Sequence, residues 1–317
     1  MTKISDPSIL RLGTRGSLLA QAQSGWVARQ LEQAHPGLRF ELVVVRTSGD
    51  QIAERPLHEF GGKGLFTKEL EEALLARSVD FAVHSFKDVP VTMPLVEQQD
   101  LIVAAMPPRE DPHDVLVSTA AYSLDALSHG AKVGTGSLRR RCQLLSRRPD
   151  LEILPIRGNI DTRIRKLKSG EFDAVILAAA GLKRAGLFDH SIMRPIAAAE
   201  MLPAAGQGAL SLQCRRDDER TRSLLGALSD PTTEVRVTAE RELVRLLNGD
   251  CHSPIAAFAE LGENELTLRA AVGARGGQTP VITAIATGPA VDPICVARQV
   301  FDTLQEKHVM QLLHGDN

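Results

Sequence analysis

KVGTGSLRRRCQ at 132–143 decides the fold, because RLGTRGSLLAQ at 11–21 resembles it. Each stretch is a short apolar strand, a Gly-Thr pair, and a serine suited to cap a following helix. Further along, GKGLFTKELEEALLARSVDFAVHS (62–85) parallels RGNIDTRIRKLKSGEFDAVILA (157–178). Both are a glycine-containing turn, an amphipathic helix, and a buried strand opened by an Asp and an apolar pair. The same elements recur in the same order with unequal spacing. That pattern predicts two similar α/β lobes, facing each other across a cleft. In open α/β sheets a ligand lies beyond the carboxyl ends of the strands, where Arg15, Lys87, Asp88 and Arg139 are expected to cluster.

Working outward, short apolar runs alternate with helix-period stretches, as in α/β domains with largely parallel sheets. Strands are expected at 9–13, 40–46, 80–85, 101–106, 114–118, 132–134, 152–156, 173–178 and 208–214. A helix from Ser17 to about Gln33 places Leu18, Ala22, Trp26 and Leu31 on one face. The stretch 65–77 does the same with Leu65, Leu70, Ala73 and Leu74, its charges turned outward. The strand GALSLQC (208–214) returns to the first lobe, and 217–248 reads as helix ending at Asn248-Gly249. Next come a strand at 255–261, an alternating strand with Leu266, Leu268, Ala270 and Val272, a turn at Gly276-Gly277 and a strand from Val281. A closing helix carries Ile294, Ala297, Phe301 and Leu304. The expected domains are therefore 1–108 with the return segment 207–225, then 109–206, then a small antiparallel α+β domain over 226–317.

Composition narrows the function. The 317 residues are 43% hydrophobic and 24% charged, the balance of a globular protein with ample core. Lys+Arg at 37 against Asp+Glu at 39 gives a net charge of -2, which argues against a general polyanion binder. Aromatic residues at 3% leave no base-stacking platform, so no nucleic-acid partner is expected. No apolar run is long enough to cross a bilayer, and the start lacks a signal-peptide pattern. Cys142, Cys214, Cys251 and Cys295 are far apart and form no CxxC, so neither a disulfide framework nor a metal site is expected. A cytoplasmic protein, monomeric by default, fits these features.

Arginine placement carries the chemistry. SLRRR (137–141), Arg157, Arg163, Arg165 and Arg184 all fall at strand exits or helix starts of the second lobe, and Arg15 and Lys63 hold similar positions in the first. Guanidinium groups bind carboxylates through paired hydrogen bonds, so such a set suits a ligand with many carboxylates. HSFKDVP (84–90) puts Lys87 and Asp88 just after a buried strand. Asp88 there is either an ordinary turn ion pair or a carboxylate that steadies a cationic intermediate and shuttles a proton. FGGKGLFTKEL (60–70) lacks the phosphate-loop pattern, and its glycines around Lys63 suggest a lid near 48–64. In NGDCHSPIA (248–256), Cys251 stands in a loop where its sulfur can be modified, whereas adjacency argues against a Cys251–His252 dyad. The other three cysteines read as inert packing.

Taken in order, LGTRGSLLAQAQ, GGKGLFTKELE, HSFKDVP, GTGSLRRRCQL, RGNIDTR, AAAGLKR, LPAAGQGAL and the Cys251 loop resemble the porphobilinogen deaminase family over nearly the whole chain. The resemblance implies three domains, the first two similar to two-lobed periplasmic binding proteins. It implies a transferase of tetrapyrrole (heme) biosynthesis that joins four porphobilinogen molecules head to tail into hydroxymethylbilane, with loss of ammonia. It also implies a dipyrromethane cofactor, held as a thioether on Cys251. The catalytic aspartate falls on Asp88, which would stabilise the positively charged azafulvene and pyrrole intermediates. Cofactor contacts fall on Lys87, Ser137, Arg139, Arg140, Arg163, Arg184, Gln207 and Gly208. Substrate contacts fall on Arg15, Ser17, Gln23, Lys63, Phe66 and Arg157. Asp250 departs from the family's Gly, His252 from a common Gln, and Phe86 from the usual Met or Leu; Glu59 lies where some members have Lys. Two rivals remain at this level: a non-catalytic two-lobed polycarboxylate-binding protein, and a pyridoxal-phosphate enzyme using Lys63.

Overall fold

A computed structural model describes residues 9–47, 67–91, 100–250 and 252–314. The chain divides into two compact units, Met1–Arg109 with Ala209–Thr233, and Glu110–Gly208 with Glu234–Asn317. Strands and helices are numbered along the whole chain.

The first unit holds a five-stranded sheet of β1 (Ile9–Thr14), β2 (Arg39–Val44), β3 (Phe81–Ser85), β4 (Leu101–Ala105) and β10 (Leu210–Arg215), in the order β2-β1-β3-β10-β4. β1 runs parallel to β2 and β3, and β10 antiparallel to β3 and β4. The second unit repeats this plan with β5 (Asp114–Val117), β6 (Lys132–Gly134), β7 (Glu152–Leu154), β8 (Ala174–Ala178) and β9 (Met193–Pro195), in the order β7-β6-β8-β5-β9. β6 is parallel to β7 and β8, and β5 is antiparallel to β8 and β9. β1 thus corresponds to β6, β3 to β8 and the inserted β10 to β5, which is the repeat heard in the sequence. β9 was not anticipated. It is three residues long and ends in proline, which an edge strand tolerates but which gives no alternation to read.

The second unit also carries β11 (Ile255–Leu261), β12 (Glu265–Ala274) and β13 (Gln278–Pro289) as an antiparallel sheet in chain order. Leu266, Leu268, Ala270 and Val272 of β12 are all buried, as alternation required, while β13 begins earlier than Val281. No described helix is long and apolar enough to cross a membrane.

Helix α1 (Leu18–Ala34) starts where Ser17 accepts a hydrogen bond from the Ala20 N–H at 3.2 Å. Its inward face is only partly the expected one: Leu31 is buried and Trp26 packs against the core, but Leu18 is 54% exposed and Gln23, Ser24, Val27 and Ala28 are buried as well. Helix α2 (Lys68–Leu75) buries Leu70 and Leu74 as expected, but Glu71 is buried too. The stretch 217–248 is two helices, because Pro231 starts a new one behind an Asp230 cap. These are α6 (Glu219–Gly226) and α7 (Pro231–Leu246). α3 (Leu138–Arg147), α4 (Ile160–Lys168) and α5 (Ala179–Arg184) follow β6, β7 and β8 respectively. The closing helix α8 (Pro293–Glu306) turns Val296, Ala297, Val300 and Leu304 inward and leaves Ile294 exposed. α9 (Val309–His314) follows it.

Candidate active site

In the first unit, the nominated residues gather at the carboxyl ends of neighbouring parallel strands. Arg15 follows β1 directly, and Lys87 and Asp88 lie in a single 3-10 turn, Phe86–Asp88, that follows β3. Phe86 fills a buried slot, and its N–H donates to the Ala209 carbonyl at 3.0 Å, fixing the turn to β10. Asp88 is half-buried, and its carboxylate has no hydrogen-bond or ion-pair partner among the described residues. Gln23, nominated as a substrate contact, is buried and donates from its amide to Ser85 Oγ at 2.9 Å. It therefore ties α1 to the residue from which the Asp88 turn springs.

Beneath that turn runs a buried polar chain. His84 Nε2 meets Gln213 Oε1 at 3.0 Å, and Gln213 Nε2 donates to Glu71 Oε1 at 2.8 Å. Complete burial pushes the His84 pKa down to about 4 against the opposing pull of the Gln213 hydrogen bond; the positive Arg15 adds to the fall. Glu71 faces inward because Gln213 offers it a donor, which the helical periodicity alone could not reveal.

In the second unit, the arginines also lie beyond the carboxyl ends of the parallel strands: Arg139 and Arg140 after β6, Arg157 and Arg163 after β7, Arg184 after β8. Asp114, at the head of β5, organises them. Arg139 donates to Asp114 Oδ2 at 2.7 Å, Arg140 to Oδ1 at 2.8 Å, and Gln207 Nε2 to Oδ1 at 2.9 Å. Arg139 also reaches the Leu202 carbonyl at 2.7 Å, and Arg140 the Ile176 carbonyl at 2.8 Å. Burial pushes the Asp114 carboxyl upward, but the two guanidinium charges outweigh it and hold the acid well below the usual carboxylate range. Arg139 and Arg140 are themselves buried, and much of their hydrogen-bonding capacity is spent on this internal acid. Ser137 caps α3, its Oγ accepting from the Arg140 N–H at 3.5 Å. Sequence reasoning missed Asp114; the only trace was an acid opening the apolar run DVLV at 114–117.

The remaining arginines are less engaged. Arg157 is half-buried and has no partner among the described residues. Arg163 donates from Nε to the Gly158 carbonyl at 2.8 Å. Arg184 donates to the Gly208 carbonyl at 2.9 Å, and burial lowers its pKa to about 10 despite the nearby Glu110. Gly208 is obligatory: its φ is +86°, and a Cβ there would lie 2.3 Å from the Glu110 carbonyl oxygen.

Lys63, Phe66, the expected lid at 48–64 and Cys251 itself lie outside the described residues. The flanks of Cys251 form a tight turn in which Asp250 accepts from the His252 N–H and from Ser253 Oγ, both at 2.9 Å. Cys142 and Cys214 are buried thiols whose pKa burial raises to about 11, in keeping with packing; Cys295 is exposed on α8, against expectation. A cavity of about 630 Å³ beside α3 is lined by Gln143, Arg147, Leu202, Ala271, Thr283 and Lys307 among others, and by none of the nominated residues.

Comparison with known proteins adds a family. A family model described as porphobilinogen deaminase, dipyromethane cofactor binding domain, matches residues 10–223, and one described as porphobilinogen deaminase, C-terminal domain, matches 235–306. A porphobilinogen deaminase from Syntrophobacter fumaroxidans is 51% identical over 270 residues, 85% of this chain and 86% of that one. Another from Syntrophotalea carbinolica is 46% identical over 306 residues, 96% of this chain and 95% of that one. Among solved structures, the periplasmic VFT2 domain of Bordetella pertussis BvgS covers 70% of this chain and 86% of its own, at 15% identity and a TM-score of 0.37.

Proposed function

The chain belongs to the porphobilinogen deaminase family, and from that membership we propose that Asp88 is its catalytic carboxylate and Cys251 the anchor of its primer. It is a transferase that joins four porphobilinogen molecules head to tail into hydroxymethylbilane, releases ammonia, and uses a dipyrromethane cofactor. The observation that carries this activity is a family match running through residues 10–223 and 235–306 alike.

The donor set fits the cofactor. Every pyrrole brings an acetate and a propionate, so primer and product need many cations. Arg139 and Arg140 share one acid and keep a net positive charge, while Arg157 has no internal partner among the described residues. Lys87, Ser137, Arg139, Arg140, Arg163, Arg184, Gln207 and Gly208 would hold the cofactor, which supplies when bound the pyrrole carbon onto which the first unit is joined. Arg15, Ser17, Gln23, Lys63, Phe66 and Arg157 would bind substrate. The half-buried Asp88 carboxylate accepts from the substrate's ammonium and steadies the cation left when ammonia departs. Because no described cation neutralises it, its charge is free for that task. The three-domain boundaries given above, a monomeric state and a cytoplasmic location belong to the same proposal; the free thiols Cys142, Cys214 and Cys295 suit a reducing compartment.

Asp88→Ala tests the assignment. It is expected to fold and keep its primer while ammonia release falls roughly 100-fold or more. Near-normal release would remove Asp88 from the mechanism.

A further inference from the structure

Glu240 of α7 is completely buried, and none of the roles above uses it. One of its carboxylate oxygens accepts from the Gly206 N–H at 2.7 Å, and the other from the Ala259 N–H at 2.9 Å. Gly206 has a φ of +69° and immediately precedes Gln207 and Gly208, the residues that meet Asp114 and Arg184. Ala259 lies in β11, the strand that follows the Cys251 loop. One acid therefore pins two separate segments: the loop that delivers Gln207 to the arginine cluster, and the strand leaving the cysteine loop. A carboxylate can accept at both oxygens, whereas an amide would turn an N–H₂ toward one of these N–H donors.

We propose that Glu240 is a positioning residue, setting Gln207 against the Asp114–arginine cluster and acting on the reaction through it. This rests on the reading that Gln207 serves the site. The test is a double-mutant cycle in the holoenzyme with Glu240→Gln, Gln207→Leu and the pair, reading kcat and KM for porphobilinogen together with folding by circular dichroism. Each single variant is expected to lower kcat/KM about tenfold or more, since small misplacements of binding groups are costly. The pair should be no worse than Gln207→Leu alone, because both act on one contact. Penalties that multiply, or a silent Glu240→Gln, would overturn the positioning role while leaving the site intact. Unchanged kinetics in Gln207→Leu would instead overturn the reading of Gln207, and the positioning role with it. If Glu240→Gln does not fold, Glu240→Asp keeps both acceptor oxygens one methylene short, and the same outcomes decide.

Discussion

At the scale of single residues, buried charge and buried neutrality do different work. His84 must stay neutral beside Gln213, so the native state refuses a proton until about pH 4, while the unfolded chain accepts one near 6.5. Over that window the unfolded state binds more protons, so stability rises with pH. The His84 contribution is complete above about 6.5 and is lost as pH falls toward 4. The size is about 3 kcal/mol, from roughly 1.4 kcal/mol per pH unit. Urea unfolding of the native protein and of His84→Gln at pH 7 and pH 4 should diverge by about that amount, the native chain losing more; parallel losses would mean that His84 titrates normally. Legibility in the sequence also differs by residue. Ser17 and Ser137 announce themselves because helix caps have local causes. Asp114 and Glu71 do not, because a lone acid beside apolar residues looks solvated until a donor distant in sequence, Arg139 or Gln213, is brought to it.

At the scale of elements, the helix that bears Arg139 and Arg140 is seated by a glycine. A Cβ added at Gly273 of β12 would fall 2.5 Å from both Cβ and Sγ of Cys142 on α3. Gly273→Ala should therefore push α3 off the sheet, costing about 1–3 kcal/mol, and raise KM as the arginines shift. Cys142→Ala, which removes the sulfur, should restore part of the loss when combined with it. Thermal unfolding and KM of the three variants check this, and simple addition of the two effects would refute the contact. Whole elements were readable where periodicity was strong, as in β12. They were misjudged where a proline interrupted a helical run at Pro231, or where α1 turned a polar face, Gln23 and Ser24, inward to meet Ser85 and Thr14.

At the scale of the molecule, two sheets of corresponding order present corresponding strand ends: Arg15, Lys87 and Asp88 in one unit, the Asp114-centred arginines in the other. The repeat was visible because its turns need particular residues. The grouping of the C-terminal sheet with the second lobe in one compact unit was not, since it rests on packing such as Cys142 against Gly273. The central proposal for this scaffold is a sulfur–carbon bond at Cys251. Intact mass of catalytically active protein, with peptide mapping of the loop at 248–256, addresses that bond most directly. The expected result is an excess of two linked pyrrole units confined to the Cys251 peptide and resistant to thiol reductants, as a thioether is. An active chain whose Cys251 is unmodified, or whose added mass lies on another residue, would contradict it.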